Sequence, residues 1–163
     1  MPKKFKNRRK DAFLSSIPVV SIESVDNDIT KRCKFNFSYF TIDEAGQNFS
    51  DWSQDELAKL FDKLKEYSKF SLDELSKMKV GRYAIFERYT SFPVNSDFKL
   101  PKHIPHQAIW CRFHLENRPR LIGFTIPEEF YDKIHQGTGL RFDTNTFYVV
   151  FLDRDHRFYK TKK

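Results

Sequence analysis

Glycine is scarce in this chain, at five residues in 163. None of the five opens the kind of loop that cradles a phosphate with backbone N–H groups, so a nucleotide-driven enzyme is disfavoured. Only two cysteines occur, Cys33 and Cys111, and they fit no zinc or redox spacing. Neither has a neighbouring acid–base partner, which gives a thiol nucleophile no support. They read as reduced thiols of a cytoplasmic protein. No apolar run approaches the roughly 20 residues of a membrane helix, so no membrane partner is expected. The leading stretch MPKKFKNRRKDAFLSSIPVVSI is basic and then mildly apolar. Ser15, Ser16 and Pro18 interrupt the run of about 7–15 apolar residues that a secretory signal needs.

What is present in quantity is phenylalanine, 18 residues, within a hydrophobic fraction of 39%. A core of flat rings follows, and the length suits a single domain. The formal net charge is +7, with +6 in the first ten residues and +4 in the last ten, so the body between them is acidic. Basic ends of this kind attract polyanions through counterion release. They also serve as plain solubilising tails.

Residues 1–12 read as a disordered basic arm, and 13–163 as one α+β domain. IPVVSIESV (17–25) is a short strand or an extended lead-in. CKFNFSYF (33–40) alternates as a half-buried strand, with Cys33, Phe35, Phe37 and Tyr39 on one side. Two helices follow. Leu57, Leu60, Phe61, Leu64 and Tyr67 recur at helical spacing behind a capping box of Ser53 and Glu56, with Trp52 placed to staple onto Leu57. A second box, Ser71 with Glu74, opens the shorter helix. Residues 79–107 hold Pro93, Pro101 and Pro105 and read as an insertion or loop region. A hairpin over 108–126 turns at Pro119 and places Trp110, Arg112 and His114 on one face, Cys111, Phe113 and Leu115 on the other. A helical turn starts at Pro127. TFYVVFLD, apolar on both faces, predicts a central strand, with HRFY as its continuation or a short partner.

This order, with WCRFHLENRPRLIGF followed by TFYVVFLDRDHRFY, resembles the RelE/ParE superfamily of bacterial toxins over about 33–78 and 108–160. The resemblance implies a strand-helix-helix unit followed by a small antiparallel sheet, here with an insertion before the C-terminal hairpin. It implies metal-independent cleavage of mRNA on the ribosome, and a protein antitoxin that masks the basic surface. The ParE branch instead poisons DNA gyrase.

Cleavage of RNA without a metal needs a base for the ribose 2′-OH, a cation for the phosphorane and an acid for the leaving oxygen. Arginine suits the second task because its planar fork matches phosphate oxygens. Histidine suits the first or third. The candidate catalytic residues are therefore Arg112, Arg120, His156, His114 and Tyr159, and the candidate RNA-binding residues Arg157, Lys160, Arg118 and Lys162. Taken singly, Arg112 and Arg120 read first as solvated or ion-paired surface cations and His114 as a surface or satisfied histidine. For His156 and Tyr159 the functional reading and the bland one, a satisfied histidine and a packed ring, stand even. Their crowding into adjacent strands is what raises the set. No metal site and no cofactor are expected: in KHIPH, Pro105 separates His103 from His106, and in LDRDH the flanking arginines favour a solvated turn. The alternative to an endoribonuclease is a non-catalytic module of the same fold that binds nucleic acid or protein.

Overall fold

The computed structural model describes residues 7–161, and Lys3, Lys4, Lys6, Lys162 and Lys163 lie outside them. The chain divides into a unit ending at Thr30 and a larger one, Lys31–Lys163. In the first, α1 (Arg8–Ser16) occupies part of the expected disordered arm. The reason is local: the Asn7 side chain accepts the Lys10 N–H, and Asp11 in the first turn complements the helix dipole. No α1 side chain is buried. Residues 17–25 form turns and no strand.

The larger unit is α+β. Its strands are β1 (Lys34–Asn36), β2 (Lys79–Val80), β3 (Tyr83–Ala84), β4 (Phe86–Arg88), β5 (Ile109–His114), β6 (Arg120–Thr125) and β7 (Thr146–Asp153). Five of them make a mixed sheet in the order β1-β7-β6-β5-β4, and β2 pairs with β3 alone. β1 runs parallel to β7, while the other pairs in the large sheet are antiparallel. The last strand is thus central, as its apolar faces require. The 33–40 strand shrinks to three residues, because Phe37 and Phe40 close a turn that carries Tyr39 to the other side of the sheet. Residues 79–88, which open the insertion and read as a short helix or strand, contribute three short strands, one of which is the sheet edge. HRFY forms no strand.

Helices α2 (Gln54–Tyr67) and α3 (Leu72–Lys77) cover one face of the sheet, each started by its capping box. Leu60, Leu64, Tyr67, Leu72 and Leu75 pack there on Cys111, Phe113, Leu121, Phe147 and Leu152. Phe113 sits at the centre of the rings, 4.8 Å from Phe86 and 4.9 Å from Phe147. The opposite face is covered by the loop region and the tail. Phe98, Ile104 and Phe158 pack there on Trp110, Ile122, Phe124, Val150 and Phe151. The alternation expected of the hairpin therefore holds, and the Pro-rich segment supplies the second layer of the core.

One irregularity decides what the second face carries at its end. The β6–β7 register shifts between Ile122 and Gly123, so Ile122 faces Phe151 while Gly123 faces Val149. Val150 is the extra residue of a β-bulge, and it shares a face with Phe151. Beyond the bulge the phase of β7 is inverted, and Asp153 comes opposite Arg120. The two cysteines are free and buried; burial pushes the Cys33 thiol up to about 11 and the Cys111 thiol up to about 12, far from a reactive thiolate.

Candidate active site

Where the loop layer stops, the end of that face is left open as a cleft of about 440 Å³. Its walls include Arg112 and His114 from β5, Arg120 from β6, Arg118 and Asn117 from the hairpin turn, Tyr83 from β3, and His156, Tyr159 and Thr161 from the tail. All five candidate catalytic residues and Arg118 meet here. The sheet register explains the meeting: His114 lies opposite Arg120, and Arg120 opposite Asp153, just before the tail turns.

Each group is held differently. Glu87, facing Arg112 across β4–β5, takes both its Nε, at 2.9 Å, and its Nη2, at 2.6 Å. The guanidinium also lies 5.9 Å from the Tyr89 ring centroid. Arg120 is buried and directs one Nη1 to three turn carbonyls, those of Asn117, Arg118 and Pro119, at 2.8–2.9 Å. Its Nε is buried with no hydrogen-bond partner among the described residues. Burial and the neighbouring Arg112 charge lower its pKa. Arg120 thus braces the turn and lends the cleft positive potential. Arg118, exposed on that turn, has no ion-pair partner among the described residues. It is the freest guanidinium of the cleft.

His114 is buried and its Nδ1 lies 2.9 Å from the Leu115 carbonyl oxygen. A carbonyl only accepts, so Nδ1 carries the proton in this contact and Nε2 of the neutral ring is left as the proton acceptor. Tyr83 stacks on the ring at 6.0 Å, and behind it the Tyr67 hydroxyl donates to the His114 carbonyl at 2.6 Å. The end of α2 is thereby tied to the end of β5. His156 adopts a left-handed backbone, φ 61°, which histidine tolerates better than most side chains. The turn is held by Asp153, whose buried carboxylate accepts the N–H of Arg157 at 2.8 Å and of Phe158 at 2.9 Å. The carboxylate expected in a solvated turn therefore caps the tail and aims His156.

Desolvation, then the field of Arg120 and Arg112, holds both imidazoles below the ordinary histidine range; the Leu115 carbonyl partly opposes the effect at His114. Neutral imidazole at pH 7 is the state a general base needs. The sign for stability follows from linkage. With folded pKa values below the unfolded value of about 6.5, the unfolded chain binds more protons as pH falls. The histidine contribution to stability is complete above pH 6.5 and is lost as pH falls through the folded values. We expect two-dimensional NMR to show both rings titrating below pH 6.5, and urea midpoints to fall in acid less steeply for His114→Gln than for the parent.

The remaining candidates lie elsewhere. Arg157 and Lys160 both pair with Asp97, Arg157 through Nε at 3.0 Å. Arg154 bridges to Glu56 at 3.2 Å and donates to the Asp51 carbonyl. The basic tail thus anchors itself to the acidic body, and the cleft's cations come from the hairpin. His103 stacks on Tyr39 and contacts Thr41. Among the described residues no three His, Cys, Asp or Glu side chains group as metal ligands, and no helix is long and apolar enough to cross a membrane. Sequence reasoning missed Tyr83, Glu87, Tyr89 and Asn117. The strands that hold Tyr83 and Glu87 are too short to show a period, Tyr89 follows the second of them, and Asn117 lies in the hairpin turn. Only the Arg-Tyr and Glu-Arg-Tyr runs of GRYAIFERY hinted at the first three.

In comparisons with known proteins, the chain matches no family model, no curated protein and no solved structure. Functional assignment therefore rests on the cleft.

Proposed function

We propose that the cleft binds the phosphodiester backbone of RNA and cleaves it without a metal ion. The observation that carries this reading is the convergence of two neutral-biased histidines with three arginines in one cleft. His114 Nε2 takes the proton of the ribose 2′-OH, whose oxygen attacks the neighbouring phosphorus. Arg112 and Arg118 hold the charge of the phosphorane, with Arg120 fixing the turn beneath them. As the P–O5′ bond breaks, His156 gives its proton to the leaving oxygen; the negative phosphate, once bound, offsets the arginine field and favours the charged imidazole. The products are a 2′,3′-cyclic phosphate and a 5′-hydroxyl.

The same reading makes the protein a RelE-like toxin acting on mRNA in the cytoplasm, with a protein antitoxin masking the cleft. The helix pair ahead of an antiparallel hairpin bearing Arg112 and Arg120 supports it. A second reading, a non-catalytic binding module, is favoured by Arg112 and Arg120 both having protein partners.

The test is purified protein with a single-stranded RNA in EDTA, followed by mapping of the ends, beside induced expression in a bacterial host with growth and mRNA integrity monitored. Cyclic phosphate ends and growth arrest with mRNA cut at defined positions are expected. Intact RNA with tight binding would move the assignment to the binding module.

A further inference from the structure

A second hollow adjoins the cleft. It is open to solvent, measures about 570 Å³ and is bordered by Tyr89, Thr90, Ser91, Val94, Asn95 and Tyr159. Tyr159 and Thr161 border both spaces, so the two share a wall. In that wall the Tyr159 ring stacks on Tyr89, which borders the hollow alone, with centroids 5.3 Å apart and an interplanar angle of 17°. Tyr89 is the half-buried member, with the Arg112 guanidinium 5.9 Å from its ring centroid, and Tyr159 is 42% exposed. An aromatic ring fixed on one side and open on the other is a platform for stacking. Around it stand the hydroxyls of Thr90 and Ser91 and the amide of Asn95, none with a hydrogen-bond partner among the described residues. Val94, at the rim, is fully exposed. The volume falls in the range of small-molecule pockets of about 300–1,000 Å³, and the mixture of ring face and unpaired amide and hydroxyl groups fits a heterocyclic base.

Building on the phosphate binding proposed for the cleft, we infer that this hollow takes the base of an unpaired nucleotide next to the scissile phosphate. The base stacks on Tyr159, and Asn95, Ser91 and Thr90 meet its hydrogen-bonding edge. A base paired in a helix offers neither a free face nor a free Watson–Crick edge, so the substrate is single-stranded RNA, and Asn95 is the group that discriminates among bases. The ledge also gives Tyr159 a task apart from proton transfer. It positions substrate, and the two histidines divide the acid and base work.

Binding of two non-cleavable strands to the full chain tests this: a 2′-O-methyl hexanucleotide and the same backbone with every base removed. Both carry the same phosphates. The intact strand should bind tighter by roughly 5- to 150-fold, the range of one stacked base. Tyr159→Ser should remove most of that gap, while Tyr159→Phe keeps it; the comparison is the intact-to-abasic ratio within each variant, because Tyr159 also lines the phosphate cleft. Asn95→Ala, a change in an exposed loop that leaves folding intact, should narrow the differences among hexanucleotides of different base. Equal binding of intact and abasic strands by the parent protein would overturn the base site and leave the phosphate cleft standing. Binding of neither would overturn both, and a gap that survives Tyr159→Ser would overturn the ledge.

Discussion

His156→Asn should lower the cleavage rate by about 10²- to 10⁴-fold, the usual worth of a positioned acid or base, and leave RNA affinity within a few-fold of the parent. Asparagine is the substitution of choice because it tolerates the left-handed backbone at φ 61°. Alanine would add a backbone penalty to the chemical loss. The acid limb of the pH–rate profile, set by a base that must be neutral, should persist in the variant. The alkaline limb, set by the acid, should disappear. Arg118→Ala should act the other way, weakening binding more than turnover, because its guanidinium is exposed and unpaired. If His156→Asn and Arg118→Ala instead reduce binding alike and no product forms from either or from the parent, the site is a binding surface.

Gly123→Ala should destabilise the larger unit by about 3 kcal/mol or more, at or above the top of the usual overpacking range. A Cβ there would stand 2.1 Å from the Tyr148 carbonyl oxygen and 2.7 Å from Phe147 Cζ. The first obstacle is backbone of the central strand, which no rotamer change relieves. Gly81→Ala makes the contrast. Nothing lies within 4 Å of the new carbon, and only the positive φ of 62° resists it, for a cost of about 1 kcal/mol. Urea unfolding of the two variants, followed by near-ultraviolet circular dichroism, checks both values. Similar midpoints would mean that β6 and β7 separate more readily than the close approach at the bulge implies.

The sequence disclosed those parts of the fold whose pattern is longer than a few residues. The two capping boxes marked Gln54 and Leu72 as near helix starts, and five alternating positions told the faces of β5. That alternation put Arg112 and His114 together. The other walls of the cleft were not legible. Strands of two and three residues, such as those holding Tyr83 and Glu87, have no measurable period. A bulge adds one residue without a marker, so nothing announced that Asp153 would change faces. The tail's cations misled for a simpler reason: charge totals do not say that Asp97 sits where Arg157 and Lys160 can reach it.

The central place of β7 bears on how the molecule is made. Residues 146–153 lie between β1 and β6 and pair with both. A nascent chain that has not yet delivered them holds β1 and the β5–β6 hairpin with nothing to join them. His156 follows still later, so a fragment stopped early has at most the β4–β5–β6 part of the sheet and no complete cleft. Contacts between residues more than a hundred positions apart form late and slowly. Synthesis itself thus acts as a timer: the assembled cleft comes into being in one step, after the strand that divides the sheet has arrived.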